Sequence, residues 1–140
     1  MGKKNIGKKF VYVVDDCPAY RSLLKLALER EGYRVRLFEN GAYALKALNR
    51  YESIISYPAL ILSDLRMPMV NGLELYDEVK RSPLTKNIPF LFMSAGKEKP
   101  LIAAAEERSE QPVFNKLTRL NLLPKVVNEV LLEQNCLVDG

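Results

Sequence analysis

Histidine is absent from all 140 residues. That excludes a His-based catalytic triad, a His zinc site and a phosphohistidine carrier, so any phosphoryl chemistry has to use a carboxylate. Long apolar runs are missing too. No stretch approaches the roughly 20 residues of a membrane span, and Met1-Gly2-Lys3-Lys4-Asn5 lacks the apolar segment of a signal peptide. Gly2 does not announce myristoylation, because Ile6 stands where that motif needs Ser or Thr. Cysteine is sparse: Cys17 and Cys136 form no metal-spaced cluster. Without an export signal they are expected to be free thiols in a reducing cytoplasm.

Charge of one sign is in excess only at the start. The net charge is +4, from 21 basic and 17 acidic residues. Lys3, Lys4, Lys8 and Lys9 lie in residues 1–9, which hold no acid; without those nine residues, the eight of the tail and Lys9 that follows it, the balance is 17 against 17. The basic balance therefore describes a tail over residues 1–8 and not a nucleic-acid face. The chain as a whole has the composition of an ordinary soluble globular protein, with 48 % hydrophobic and 27 % charged residues. The length suits one domain with one core.

Short apolar runs alternate with helical patterns. Phe10–Val14, Arg34–Phe38, Leu60–Ser63, Pro89–Met93 and Val113–Asn115 read as strands. Apolar residues recur at helical spacing over Ala19–Glu31, Ala42–Asn49, Gly72–Arg81, Pro100–Arg108 and Leu122–Gln134, with Asn121 as a cap for the last. The stretch Arg50–Pro58 reads as a loop. Five βα repeats predict a doubly wound α/β fold, a five-stranded parallel sheet in the order 2-1-3-4-5 with five helices. In such sheets ligands bind at the carboxyl ends of the strands. Asp15-Asp16 follows the first strand, Asp64 the third, Ser94 the fourth and Lys116 the fifth, so these groups should converge on one rim. Each residue alone has a plainer explanation, since Asp and Ser also cap helices and an isolated lysine is usually solvated.

A lone buried carboxylate prefers to be neutral, and clustered carboxylates repel. A divalent cation resolves that conflict, and an oxygen-only ligand set suits Mg²⁺.

The constellation resembles the response-regulator receiver family over residues 9–134, leaving 135–140 as a C-terminal tail. Asp64 is trailed by Met67-Pro68 and Asn71-Gly72, and the separations of 30 from Asp64 to Ser94 and 22 from Ser94 to Lys116 agree with the family's spacing. The resemblance implies a flavodoxin-like fold. It implies Asp64 as the phosphoacceptor and Mg²⁺ as cofactor, bound by Asp16, Asp64 and the backbone carbonyl of Arg66, with Asp15 acting through water or from behind. Ser94 and Lys116 would contact the phosphoryl oxygens. It further implies a histidine kinase or histidine phosphotransfer protein as donor and a downstream protein target. A cytoplasmic signalling protein is expected, with no nucleic acid or membrane partner and no chemistry beyond its own phosphorylation and dephosphorylation.

Three positions depart from the family pattern, one of them Arg66, a long cation beside Asp64 that could shield the acyl phosphate from water or contact a donor or partner. Leu117 stands where a proline joined by a cis bond is usual. A cis bond costs about 2.5–4 kcal/mol without proline, against about 0.5–1 with it. Either the Lys116–Leu117 bond is trans, as its chemistry alone suggests, and Lys116 is presented differently, or the site holds a strained bond. Val113 occupies the position of the switch aromatic, and Phe114, one residue along a strand, faces the other way. The departures at Leu117 and Val113 support an alternative, a phosphorylation-independent adaptor of the same fold. A third reading, an aspartyl-nucleophile phosphatase, wants two aspartates separated by one residue after strand one, and Asp15-Asp16-Cys17 does not supply them.

Overall fold

A computed structural model describes residues 10–50, 57–109 and 111–139. The expected basic tail over 1–8 and most of the Arg50–Pro58 loop lie outside the described residues. The order is β1 (Phe10–Val14), α1 (Pro18–Glu29), β2 (Arg34–Phe38), α2 (Gly41–Leu48), β3 (Leu60–Asp64), α3 (Gly72–Arg81), β4 (Phe90–Ser94), α4 (Lys99–Arg108), β5 (Phe114–Asn115) and α5 (Leu123–Asp139). All strand pairs are parallel, and the sheet order is β2-β1-β3-β4-β5. The doubly wound fold read from the sequence is the one observed.

Period-two alternation divides the core between the two faces. Val11 and Val13 of β1, Leu60 and Leu62 of β3, and Leu91 and Met93 of β4 pack with Leu24, Leu28, Leu123 and Val127 of α1 and α5. Tyr12, Val14, Ile61, Phe90 and Phe92 turn to the other face and meet Ala44, Leu48, Leu75, Val79 and Ala105 of α2, α3 and α4. Strands covered on both faces must be apolar throughout. β3 and β4 are accordingly buried at every position, whereas the edge strand β2 is only half covered.

Element ends differ from expectation for identifiable reasons. α1 starts at Pro18, whose missing N–H and fixed φ suit a first turn; it closes through Gly32, at φ +95°. α2 begins one residue early because Asn40 caps it, accepting the Tyr43 N–H at 3.1 Å. β3 runs through Asp64, which registers with Met93, so the carboxylate belongs to the strand. β5 loses Val113 and keeps two paired residues. Asn121 is not a cap: it sits in a 3₁₀ turn, Leu120–Leu122, from which α5 departs. α5 also extends past Gln134 to Asp139.

Candidate functional site

The β3–α3 turn brings the backbone into unusually close approach at the acidic rim. Asn71 and Glu74 cap α3 reciprocally, each side chain taking the other's N–H at 2.9 Å. Gly72 then passes over the end of β3 and donates to the Leu65 carbonyl at 2.9 Å. A Cβ at Gly72 would lie 2.2 Å from the Asp64 carbonyl oxygen, so glycine is required here by space. Met69, in the same turn, has φ +69°, a strained conformation for a side-chain-bearing residue.

Carboxylate oxygens of Asp15, Asp16 and Asp64 all lie within 4.8 Å of one another. Asp15 is fully buried and Asp64 nearly so, while Asp16 faces solvent. Asp15 is held from two sides. Its Oδ1 accepts the Cys17 N–H at 2.9 Å, and its carbonyl accepts Arg21 Nη1 at 2.7 Å. Asp64 Oδ1 accepts the Leu65 N–H at 2.9 Å. Lys116 is buried between them, Nζ donating to Asp15 Oδ2 at 2.7 Å and to Asp64 Oδ2 at 3.0 Å.

The peptide bonds of the described residues include no cis bond, so Lys116–Leu117 is trans, as its chemistry suggests. With the trans bond, Lys116 Nζ still reaches both Asp15 and Asp64. Asn115 holds the turn, its Oδ1 accepting the Leu117 and Thr118 N–H groups at 2.9 and 3.1 Å. The Tyr20 ring lies 4.7 Å from the ammonium on its other side. Val113 and Phe114 face opposite ways as anticipated, the first toward the α2–α4 face and the second into the core under α1 and α5.

Electrostatics follow from burial and crowding. Burial, and then the Asp15 charge, push the Asp64 carboxyl up from 3.8 to about 6, against the pull of Lys116 and the Leu65 N–H. Burial works against the Lys116 charge, but the Asp15 hydrogen bond and the two carboxylate charges outweigh it and hold the ammonium above the ordinary lysine range. Two of the three carboxylates thus share one buried ammonium, and Asp16 lies within 4.8 Å of both. The oxygen-only donor set and the leftover negative charge fit a divalent cation.

Ser94 is buried at the end of β4, one step beyond the residue paired with Asp64. Arg66 is exposed on the loop after β3. Three contributors were not anticipated from the sequence: Tyr20 against Lys116, Arg21 on the Asp15 carbonyl, and Glu98 against Ser94. Tyr20 and Glu98 each stand four residues after a recognised group, Asp16 and Ser94, which is the one signal that could have found them.

The family model described as the response regulator receiver domain matches residues 11–128. The transcriptional regulatory protein GlrR of Escherichia coli (strain K12) is 36% identical over 107 residues, which are 76% of this chain and 22% of that protein. The DNA-binding transcriptional regulator NtrC of Proteus hauseri is 36% identical over 109 residues, 78% of this chain and 21% of that protein. The chain thus spans about a fifth of the length of these relatives. Among solved structures, the signal receiver domain of a signal transduction histidine kinase from Syntrophus aciditrophicus superposes with TM-score 0.77 at 25% identity, covering 89% of this chain and 91% of that one. The Mn²⁺-bound form of the response regulator Rcp1 superposes with TM-score 0.69 at 26% identity, covering 87% and 91%.

Proposed function

Because the chain belongs to the response regulator receiver domain family, we propose that it takes a phosphoryl group onto Asp64 and passes the signal on through protein contact. The observation that carries this reading is the placement of Lys116, buried and bridging Asp15 and Asp64. A lysine that served only as a solvated surface charge would not be taken out of water between two carboxylates.

An Asp64 carboxylate oxygen attacks the donor phosphorus, forming a new O–P bond. The bond from phosphorus to the donor breaks, and the leaving group departs with its electron pair: an imidazole nitrogen from a phosphohistidine donor, acetate from acetyl phosphate. Asp16, the Asp64 carboxylate and the Arg66 backbone carbonyl would hold Mg²⁺, with Asp15 behind them. The bound ion would screen carboxylate from phosphate and stabilise the charge that develops in transfer. Lys116 neutralises one phosphoryl oxygen as a point charge, and the Ser94 hydroxyl donates to another. The donor is a histidine kinase or histidine phosphotransfer protein. The protein's only chemistry is its own phosphorylation and dephosphorylation, and its target is another protein. The protein's proposed place of action is the cytoplasm, and no helix among the described residues is long and apolar enough to cross a membrane. The phosphorylation-independent adaptor drew on Leu117 and Val113, and of these Leu117 does not keep Lys116 from Asp15 and Asp64.

Incubation with acetyl phosphate and Mg²⁺, read by intact mass, tests the reading. Wild type should gain one phosphate and Asp64→Asn none. Labelling of Asp64→Asn, or no labelling of wild type by small-molecule or phosphohistidine donors, would refute it.

A further inference from the structure

The Ser94 hydroxyl is already committed elsewhere. Its Oγ is buried, accepts the Gly96 N–H at 2.9 Å and lies 3.1 Å from Glu98 Oε2. The amide must donate, so the hydroxyl's single proton points to the Glu98 carboxylate. That same carboxylate oxygen also accepts the Lys97 N–H at 3.1 Å. While Glu98 holds the proton, Ser94 has none to offer a phosphoryl oxygen on Asp64.

Glu98 is also the N-cap of α4. Its carbonyl accepts the Ile102 N–H at 2.9 Å, the first bond of that helix. The turn between Ser94 and Glu98 is tight, with Gly96 at φ +92° and the Asn115 amide nitrogen 3.3 Å from where a Cβ would be. Movement of the Ser94 hydroxyl is therefore connected to the start of α4 through one side chain and a short stiff turn. No aromatic ring stands at Val113 to make that connection instead.

We propose that the Ser94–Glu98 hydrogen bond is a latch: it withholds the Ser94 hydroxyl before phosphorylation, and its rupture when Asp64 is phosphorylated carries the change to the first turn of α4. The proposal rests on the reading of Asp64 as phosphoacceptor. Glu98 is a positioning residue here, acting on phosphate only through Ser94.

The test compares wild type, Glu98→Ala, Glu98→Gln, Ser94→Ala and the Ser94→Ala/Glu98→Ala double variant. Phosphorylation by acetyl phosphate with Mg²⁺ is followed by intact mass, and the amide resonances of Gly96, Lys97 and Ile102 are followed by NMR. Glu98→Ala should accelerate phosphorylation about three- to tenfold, the net worth of one hydrogen bond. Glu98→Gln, which keeps a neutral acceptor, should fall between it and wild type. In the Ser94→Ala background Glu98→Ala should change nothing. Phosphorylation of wild type should shift the Gly96, Lys97 and Ile102 amides, and Glu98→Ala should abolish the shift at Ile102. A wild type that is phosphorylated at the same rate as Glu98→Ala overturns the latch and leaves the phosphoacceptor reading intact. So does an acceleration that persists without the Ser94 hydroxyl, which would be a simple charge effect. A wild type that takes no phosphate removes the phosphoacceptor reading and the latch with it.

Discussion

Removing the charge at Asp64 should make the metal-free protein more stable at neutral pH, although it removes the proposed phosphoacceptor. The side chain of Asp64 is 7% exposed, and burial together with Asp15 raises its pKa from 3.8 to about 6. The folded state thus holds a proton that the unfolded chain, with its ordinary carboxylate, has already released. Between pH of about 4 and about 6 the native state binds more protons than the unfolded one, so stability falls as pH rises through that window. Above it the whole penalty is present. A rise of about 2 pKa units at about 1.36 kcal/mol each gives roughly 3 kcal/mol. Asn has the same shape without the charge, but its single oxygen can accept from the Leu65 N–H or from Lys116 and not from both, which takes back about 1–2 kcal/mol while Lys116 retains Asp15 at 2.7 Å. Asp64→Asn should therefore gain about 1–2 kcal/mol at pH 7.5, roughly 5 °C in Tm for a domain of this size. The gain should shrink as the pH is lowered and be lost before about pH 4. Urea and thermal unfolding of both proteins across pH 4 to 8, with chelator present, would measure it. Adding Mg²⁺ should then raise the Tm of wild type and leave Asp64→Asn nearly unmoved, because only a ligand bound by the native state stabilises it. Equal stabilities at every pH, or a wild type that is the more stable at pH 7.5, would refute the argument that buried charge crowding governs this site.

Gly72→Ala should destabilise by about 1–3 kcal/mol in denaturant unfolding, since its Cβ would meet the Asp64 carbonyl at 2.2 Å and the clashing atoms are backbone. The same variant should phosphorylate more slowly, because the strand end must shift to make room. Asp16→Ala should weaken divalent-cation binding more than Asp15→Ala, as read by amide titration with Mg²⁺, because Asp16 is the exposed carboxylate of the cluster and Asp15 is already paired with Lys116. Val113→Tyr should alter partner binding without abolishing phosphorylation, since Val113 packs toward α4 and away from Asp64. Pull-down affinity and intact mass would separate the two.

The sheet order and nearly every strand were legible because both-face burial leaves a mark that little else imitates: short apolar runs such as Leu60–Leu62 and Phe90–Met93, each ending in a polar group. Helix ends were less legible. Pro18 could be taken as turn or first turn, and Asn121 has the chemistry of a cap but lies in a 3₁₀ turn set by how α5 packs. The site was legible as a set of strand ends, since topology alone brings Asp15, Asp64, Ser94 and Lys116 to one rim. Its charge balance was not. That Asp15 is buried and Asp16 exposed depends on which way β1 releases the chain, and the pairing of Lys116 with both carboxylates spans 101 and 52 residues of sequence. The presentation of Lys116 could not be read from the sequence for a local reason. Family pattern ties it to proline, whereas here Asn115 and the Tyr20 ring hold it.

The charge count at the rim gives an order to the proposed events. Asp15, Asp16 and Asp64 outnumber the Lys116 ammonium that bridges two of them and the Arg21 guanidinium on the Asp15 carbonyl, and Asp64, buried beside Asp15, holds its proton to about pH 6. A protonated carboxyl is a poor nucleophile, and a divalent cation is the simplest way to return that pKa to the carboxylate range. Phosphorylation then replaces one charge on Asp64 with nearly two. The added charge must be met by groups that are already present. Lys116 has spent two of its three N–H donors on Asp15 and Asp64 and can meet the new charge in full only by loosening one of them. Cation binding should therefore precede phosphorylation and free Lys116 for it. Lys116→Met would separate the two steps: cation binding should strengthen, since a competing positive charge is gone, while phosphorylation slows. A variant that lost both together would mean that Lys116 holds the carboxylates in place and does not compete with the metal.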